Sequence, residues 1–147
     1  MGRKRKYNSP EEYEAVQRYD SIKDREKRKG IVLEDNWSKN DFIAWYLKTE
    51  KRCVYCTLTQ DEIRCFHELV KRRNKRGTTR GRSLEIDRKT DGSYTEENCV
   101  FSCYYCNNAK SDIFEAEEFK VIGQAIAMVI RSRIATKSEC NDEDIRY

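Results

Sequence analysis

Two pairs of cysteines, each separated by two residues, constrain the fold of this chain more than any other feature. The sequence reads CVYC at 53–56 and CYYC at 103–106. Four thiolates suit a tetrahedral structural zinc ion, and the two-residue spacer lets one turn of chain supply two ligands to the same ion. A redox-active CxxC pair and unpaired buried thiols are the alternatives. We favour zinc, which would clasp the residues between the two pairs into one unit.

The other thiols and the single histidine are predicted to lie outside this ligand set. The chain has seven cysteines. Because this number is odd and the first residues lack the apolar segment of a secretory signal, a disulfide framework is disfavoured. Cys65, Cys99 and Cys140 are predicted non-ligands, and His67 is predicted to be an ordinary side chain on a helix face. The same features predict a reducing, cytoplasmic location.

The balance of charged and apolar residues indicates a small domain with a modest core. Of the 147 residues, 38% are charged and 37% are hydrophobic, so hydrophobic burial alone gives limited stability. No apolar stretch approaches the roughly 18 residues that a membrane-spanning helix needs, which argues against a membrane protein. A bound metal is therefore expected to help hold the fold.

Positive charge is concentrated in short runs, although the net charge is only +4. Residues 3–6 read RKRK, and residues 71–82 hold seven basic side chains and no acidic one. Localised positive charge of this kind indicates a polyanionic partner. The predicted contacts to that partner in the longer run are Lys71, Arg72, Arg73, Lys75, Arg76, Arg80 and Arg82.

Capping and periodicity signals predict an α+β chain that is mostly helical. The predicted elements are helices at about 10–29, 41–50, 60–70, 104–111 and 115–135, and strands at 83–87 and 98–101. Ser9, Ser38 and Thr59 are the predicted start signals of the first three helices. We divide the chain into a basic helical arm (1–37), a zinc-clasped domain (38–136) and an acidic tail (137–147). The helix at 115–135 is apolar on more than one side, which predicts packing both in the core and against a second subunit.

A group of polar residues is expected where the strands and the following helix meet. Asp87 ends the first strand, and Asn107 begins the helix after the second CxxC. A carboxylate and an amide oxygen suit a hard cation such as magnesium. Lys110 and Ser111 lie one helical turn further on, where they could touch a phosphate. The alternative interpretation is that Asp87 belongs to a polar turn and that Asn107 is a helix cap.

These motifs resemble the HNH, or ββα-metal, endonucleases. The resemblance rests on Asp87, on Glu97-Asn98-Cys99-Val100 in the returning strand, and on the CxxC-Asn-x-x-Lys pattern at 103–110. In that family the usual pattern places a water-activating histidine directly after the aspartate. Here Arg88 stands in that place, as in restriction endonucleases of the family that combine Asp-Arg with a nearby tyrosine. The likeness covers residues 41–126, whereas the first 37 residues lack the additional zinc-binding cysteines of those enzymes.

The resemblance implies a small ββα-metal core and a metal-dependent DNA endonuclease that hydrolyses phosphodiester bonds, possibly site-specifically, as a homodimer. The implied catalytic group is Tyr46, Asp87, Arg88 and Asn107, to which we add Lys110. The implied metals are a structural Zn²⁺ on Cys53, Cys56, Cys103 and Cys106, and a catalytic Mg²⁺ or Mn²⁺ on Asp87 and Asn107.

The departure at Arg88 leaves the proton transfer to another residue, since an arginine cannot accept a proton at ordinary pH. We expect Tyr46 to attack the phosphate or to activate water, with its pKa lowered by Arg88 and the metal. The main alternative is a zinc-stabilised module that binds nucleic acid without catalysis. A second alternative is a structural zinc protein that recruits partners through the helix at 115–135.

Overall fold

The computed structural model of the chain describes residues 7–30, 37–71, 80–90 and 92–143. Among these, five helices and a two-stranded sheet follow one another in the order helix, helix, helix, strand, strand, helix, helix. The helices are α1 (Pro10–Lys29), α2 (Lys39–Lys48), α3 (Gln60–Val70), α4 (Tyr104–Lys110) and α5 (Ala116–Glu143), and the strands are β1 (Glu85–Arg88) and β2 (Cys99–Ser102). The α+β class that the sequence predicts is confirmed.

The first of two compact units combines Met1–Glu50 with Asp91–Cys99. Helices α1 and α2 pack together in it, and aromatic side chains fill the space between them. The Phe42 ring lies 5.1 Å from Trp37, 5.4 Å from Tyr19 and 5.6 Å from Trp45, measured between centroids. Such tilted and edge-on pairs add to the hydrophobic gain of burying large rings. Helices α1 and α2 thereby share a core of their own.

The capping residues of the first three helices are those that the sequence indicates. The side chains of Ser9, Ser38 and Thr59 accept hydrogen bonds from backbone N–H groups of the first turns of α1, α2 and α3. The backbone N–H of Thr59 in turn donates to the Glu62 carboxylate, which completes a capping box. Each cap satisfies N–H groups that have no partner inside the helix. Gly30 ends α1 with φ 66°, which a glycine adopts without a Cβ clash.

The second unit combines Lys51–Thr90 with Val100–Tyr147. It holds α3, α4, α5 and the β1–β2 pair, and α5 packs against both α3 and α4. Its core includes Leu58, Ile63, Phe119 and Ile130, which are almost fully buried. Helix α4 also contacts β1. The strand–strand–helix arrangement of a ββα core is therefore present in this unit.

Two local expectations differ from the structure, the bounds of the strands and the end of α5, whereas those for His67 and Cys99 agree with it. The strands are shifted by one or two residues from the predicted ranges. Helix α5 continues to Glu143, well beyond the predicted end at 135, because the intervening residues include neither glycine nor proline to stop it. His67 lies on α3, as predicted, and outside the cysteine cluster; it is buried, without a hydrogen bond to either ring nitrogen. Cys99 is buried on β2, as predicted.

No helix among the described residues is long and apolar enough to cross a membrane. The division into arm, domain and tail stays a prediction.

Candidate functional site

The four cysteines of the two CxxC pairs converge on one point in the second unit. Their sulfur atoms all lie within 4.8 Å of one another, and all four residues are buried. The Sγ atoms of Cys56 and Cys103 are 3.7 Å apart. Four converging thiols in a closed, buried cluster fit the ligand set of a structural tetrahedral zinc site. The zinc clasp predicted from the spacing is therefore supported by the geometry.

The local backbone explains why these thiols meet. The N–H of Cys53 donates to the carbonyl of Leu58, and the N–H of Thr57 donates to the carbonyl of Cys53, both at 2.9 Å, so the first pair lies in a tight turn. The N–H of Val54 donates to the carbonyl of Phe101 at 2.9 Å, which ties this turn to β2. Cys103 is the N-cap of α4 and accepts from the N–H of Cys106. Each pair is thus held by its own backbone.

The four thiols influence one another's ionisation strongly. Hydrogen bonds from Cys103 and Cys106 lower the pKa of the Cys53 thiol. The hydrogen bonds with Cys103 and Cys53 instead raise the pKa of the Cys106 thiol. Four adjacent thiols therefore do not all ionise together without a cation. A divalent metal would remove this conflict, because coordination deprotonates a thiol outright.

Next to the cysteine cluster, Asp87 on β1 collects two polar partners. The hydroxyl of Tyr55, which lies inside the first CxxC, donates to Asp87 Oδ2 at 2.8 Å. Lys110 Nζ on α4 lies 3.8 Å from the same oxygen. The Lys110 side chain is 7% exposed and the Asp87 side chain is 13% exposed. The ammonium group is also 5.9 Å from the Tyr55 ring centroid. The site is therefore a compact, largely buried cluster of a carboxylate, a phenol and an ammonium group.

This cluster has unusual electrostatics. Burial raises the pKa of Asp87, although the Tyr55 hydrogen bond and the charges of Lys110 and Arg88 oppose the shift. Burial also raises the pKa of Tyr55, and the negative charge of Asp87 adds to the effect. Titratable groups that burial and specific partners perturb are typical of functional sites. Lys110 supplies a positive charge next to the Asp87 carboxylate.

Asn107 lies on the same side of α4 as Lys110 and contacts a second acidic residue of β1. Its Nδ2 donates to Glu85 Oε2 at 2.7 Å. Glu85 and Asp87 are two residues apart, so they face the same side of the strand. The sequence-predicted pair Asp87 and Asn107 is therefore brought to one face of the ββα core. Glu85 is a member of this group that sequence reasoning missed, although its alternation with Asp87 was visible.

Tyr46 lies in the first unit and is buried on α2. Its ring is 6.3 Å from Phe42 and 6.5 Å from Trp45. Burial raises the pKa of Tyr46, and the Glu14 carboxylate adds to the effect while Arg18 opposes it. The lowering expected from Arg88 and a bound metal ion stays a prediction. A catalytic role for Tyr46 stays a prediction.

The tyrosine that the structure places against Asp87 is Tyr55. Sequence reasoning used the cysteines on either side of Tyr55 and assigned this tyrosine no role. The sequence did show that Tyr55 lies between Cys53 and Cys56, in the turn that we call the zinc turn, where the backbone is fixed. Only the fold shows that its hydroxyl meets the end of β1.

Three members of the basic run fall in the described part of the chain. Arg80 Nη2 lies 3.8 Å from Glu85 Oε1, and the guanidinium stacks 5.0 Å from the Tyr104 ring centroid. Gly81 has φ 88°, and a Cβ there would lie 3.2 Å from the Tyr105 hydroxyl. Lys71 and Arg82 are the first and last residues of the run. Arg72, Arg73, Lys75 and Arg76, like RKRK at 3–6, lie outside the described residues.

The backbone at the end of the basic run is held by one side chain. Gln60 Nε2 donates to the carbonyl of Arg82, and Gln60 Oε1 accepts from the N–H of Leu84, both at 3.0 Å. Because Gln60 is the first residue of α3, these two hydrogen bonds attach the backbone just before β1 to the start of that helix. Arg80 is consequently placed beside the polar group on β1.

Comparison with known proteins gives one clear match. No family model matches the chain, and no curated protein matches it. Among solved structures, the rare-cutting HNH restriction endonuclease PacI is similar, with a TM-score of 0.69 and 26% sequence identity. The match covers 90% of this chain and 96% of PacI. The resemblance to the HNH endonucleases that the sequence indicates is therefore confirmed, and this chain has an HNH-type fold similar to that of PacI.

Proposed function

We propose that this chain is a metal-dependent endonuclease that hydrolyses phosphodiester bonds in DNA. The observation that carries the proposal is the cluster of Asp87, Tyr55 and Lys110 on a zinc-clasped ββα core. The structural match to PacI, described as an HNH restriction endonuclease that perturbs DNA, supports the same reaction class and substrate. Site-specific cleavage is part of the proposal.

The residues present fit a hard divalent cation. Asp87 and Asn107 would hold Mg²⁺ or Mn²⁺ through a carboxylate and an amide oxygen, the ligand types that such ions prefer. The close approach of Lys110 to Asp87 supports a cation-attracting site there. When bound, the metal ion would polarise the scissile phosphate and stabilise the leaving oxygen.

Tyr55 replaces Tyr46 as the proposed proton acceptor or nucleophile. Its hydroxyl is hydrogen-bonded to Asp87 Oδ2, so the phenol is held at the end of β1, where the scissile phosphate would bind. Arg88 cannot take a proton, so the proposal assigns the proton transfer to the phenol that is hydrogen-bonded to Asp87. The phenolic proton of Tyr55 would pass to Asp87 Oδ2 along the hydrogen bond that joins them. Oη would then either take the proton of the attacking water or attack phosphorus, and in both cases the P–O bond to the leaving oxygen breaks and that oxygen is protonated from solvent.

Lys110 and Arg88 would act on the charge of the phosphate. Lys110 is buried beside Asp87, and its ammonium group could take a phosphate oxygen as its partner in place of the carboxylate. Arg88 follows Asp87 directly, and its planar guanidinium suits two phosphate oxygens at once. These two cations would stabilise the extra negative charge of the transition state.

DNA would be bound along the basic run that leads into β1. Arg80 is placed beside the polar group by its contacts with Glu85 and Tyr104. The run as a whole would follow the DNA backbone and provide affinity that depends on salt and carries little base information. A homodimer would present two such sites, one to each strand.

The alternative is a zinc-stabilised module that binds nucleic acid without cutting it. Its support is Arg88, which stands where the usual family pattern has a histidine base. The retained Asp87, Asn107 and Lys110 support catalysis instead.

The two functions are separated by incubating the purified protein with supercoiled plasmid. Elemental analysis should first find about one zinc per chain, as a four-thiolate site requires. Nicked or linear plasmid should then form in Mg²⁺, and a brief chelator treatment that leaves zinc in place should stop the reaction. A gel shift of the plasmid with intact supercoils in Mg²⁺ and Mn²⁺ would instead support the binding module.

A further inference from the structure

Glu85 joins two segments of the candidate site through its two carboxylate oxygens. Oε2 accepts from Nδ2 of Asn107 at 2.7 Å, and Oε1 lies 3.8 Å from Nη2 of Arg80. The side chain is 22% exposed, so its position is largely determined by protein contacts. Nothing in the reaction proposed above uses this residue.

The contact with Asn107 decides which atom of that amide is free to bind a cation. A side-chain amide has a carbonyl oxygen on one side and an NH₂ group on the other, and only the oxygen can bind a hard metal ion. Because Nδ2 donates to Glu85, Oδ1 is directed away from Glu85. Without that acceptor the amide could turn over and present its NH₂ group to the cation.

We propose that Glu85 is a positioning residue that holds Asn107 with its oxygen toward the catalytic cation. The proposal rests on the proposed function, in which Asn107 is a metal ligand. Groups that hydrogen-bond to a metal ligand and fix its orientation typically change metal affinity or activity by about 10–100-fold when they are removed. Glu85 acts through Asn107 and does not itself touch the phosphate.

The charge of Glu85 offers a different explanation that the test must separate. Glu85 and Asp87 place two carboxylates on one face of β1, and a second negative charge would attract a cation whatever the orientation of Asn107. Glu85→Gln removes the charge but keeps an oxygen that can accept from Asn107. Glu85→Ala and Glu85→Met remove the acceptor, and Met keeps most of the side-chain volume.

The experiment measures Mn²⁺ affinity of the zinc-loaded protein by electron paramagnetic resonance of free Mn²⁺, without DNA. We expect Glu85→Ala and Glu85→Met to weaken binding about 10–100-fold, while Glu85→Gln stays close to wild type. Glu96→Ala removes the carboxylate of an exposed ion pair with Lys48 and serves as the matched control, with unchanged affinity expected. Zinc content and circular dichroism check that each variant is folded.

A double-mutant cycle with Asn107→Ala tests the route of the effect. If Glu85 acts through Asn107, adding Glu85→Ala to Asn107→Ala should cost no further affinity. An equal loss in Glu85→Gln and Glu85→Ala, or a full additional loss in the Asn107→Ala background, would overturn the positioning role. A wild-type chain that binds no Mn²⁺ would overturn the proposed function itself.

Discussion

At the scale of single residues, the position of Tyr55 is set by its surroundings on every side. The residue is almost fully buried, and its ring meets Phe119 of α5 edge-on, with centroids 5.5 Å apart. Its hydroxyl is bound to Asp87, and the flanking cysteines belong to the metal cluster. A phenol held in this way is preorganised, and holding a reacting group in the correct geometry is a major source of enzymatic rate enhancement.

Replacing either tyrosine by phenylalanine distinguishes the two proposed catalytic assignments. Tyr55→Phe should lower the cleavage rate about 100-fold or more, the usual range for loss of a positioned proton-transfer group. Tyr46→Phe should leave most activity, because the proton transfer is assigned to the Tyr55 hydroxyl that is bound to Asp87. Single-turnover cleavage at saturating enzyme gives both rates, with zinc content as the check on folding. Loss of activity in Tyr46→Phe together with a fully active Tyr55→Phe would restore the assignment made from sequence.

At the scale of secondary structure elements, α5 comes unusually close to the first zinc turn at Gly123. A Cβ at this position would lie 2.6 Å from the carbonyl oxygen of Tyr55 and 2.7 Å from its carbon, both backbone atoms. Backbone cannot move aside as a flexible side chain can. The absence of a side chain at Gly123 therefore allows α5 to support the turn that carries Tyr55.

This close approach reverses the usual effect of a glycine-to-alanine change in a helix. By helix propensity alone, Gly123→Ala would stabilise the chain by about 1 kcal/mol. We expect the opposite, a lower midpoint of thermal unfolding and a lower cleavage rate, because the new methyl group displaces the zinc turn. Ser132→Ala, at an exposed position of the same helix, is the control and should be neutral or slightly stabilising. A stabilised, fully active Gly123→Ala would show that α5 packs differently.

An ion pair joins α5 to the start of α3. Arg131 Nε lies 2.7 Å from Glu62 Oε1, and Glu62 also completes the capping box with Thr59. The hydrogen bond from Arg131, followed by those from Thr59, holds the pKa of Glu62 at about 2. A depressed carboxylate pKa contributes stability above the unfolded-state pKa of about 4.3, and that stability is lost as pH falls toward 2.

The predicted consequence is a pH-independent effect of Glu62→Gln near neutrality. Because both partners are partly exposed, the loss in free energy of unfolding should be about 0.5–1 kcal/mol. The loss should be the same at pH 8 and pH 6, and should shrink only below about pH 4.3. Urea unfolding of both proteins with zinc present measures it, and Lys120→Gln, which breaks the exposed pair with Glu117, is the control. A loss that disappears between pH 8 and pH 6 would contradict the pairing.

The sequence predicts the elements of this fold better than their contacts. Ser9, Ser38 and Thr59 are local signals that act within one turn, and all three begin helices where expected. The end of α5 was missed because no local terminator marks it. The meeting of Tyr55 with Asp87 joins residues far apart in the chain, and its geometry depends on the zinc turn, β1 and α5 together. Such tertiary contacts leave no periodic trace in a sequence.

At the scale of the whole molecule, α5 exposes apolar residues on the side away from its buried face. Val121 and Met128 are 77% and 74% exposed, and Ile122 and Val129 are also exposed. Members of each pair are seven residues apart, so all four form one stripe along the helix. An exposed apolar stripe of this length is typical of an interface. We propose that a second copy covers it.

Charged residues in this stripe should therefore dissociate the homodimer. The double change Val121→Glu and Met128→Glu should give a particle of about the 17.6 kDa monomer mass by light scattering, whereas wild type should give twice that mass. Lys27→Glu, at an exposed position of α1, is the control and should stay dimeric. Zinc content should be unchanged in all three proteins. A monomeric wild type at micromolar concentration, with and without DNA, would rule out the proposed dimer.

The central claim is that Asp87 supports metal-dependent cutting of bound DNA, and one paired measurement tests it most directly. Zinc-loaded wild type and Asp87→Asn are bound to the same labelled plasmid, and Mg²⁺ is then added while binding and cleavage are followed together. The account predicts equal binding by both proteins, with cleavage by wild type reduced about 100-fold or more in Asp87→Asn, because an amide replaces the proposed carboxylate ligand of the metal. Binding without cleavage by wild type, or equal cleavage by both proteins, would contradict it.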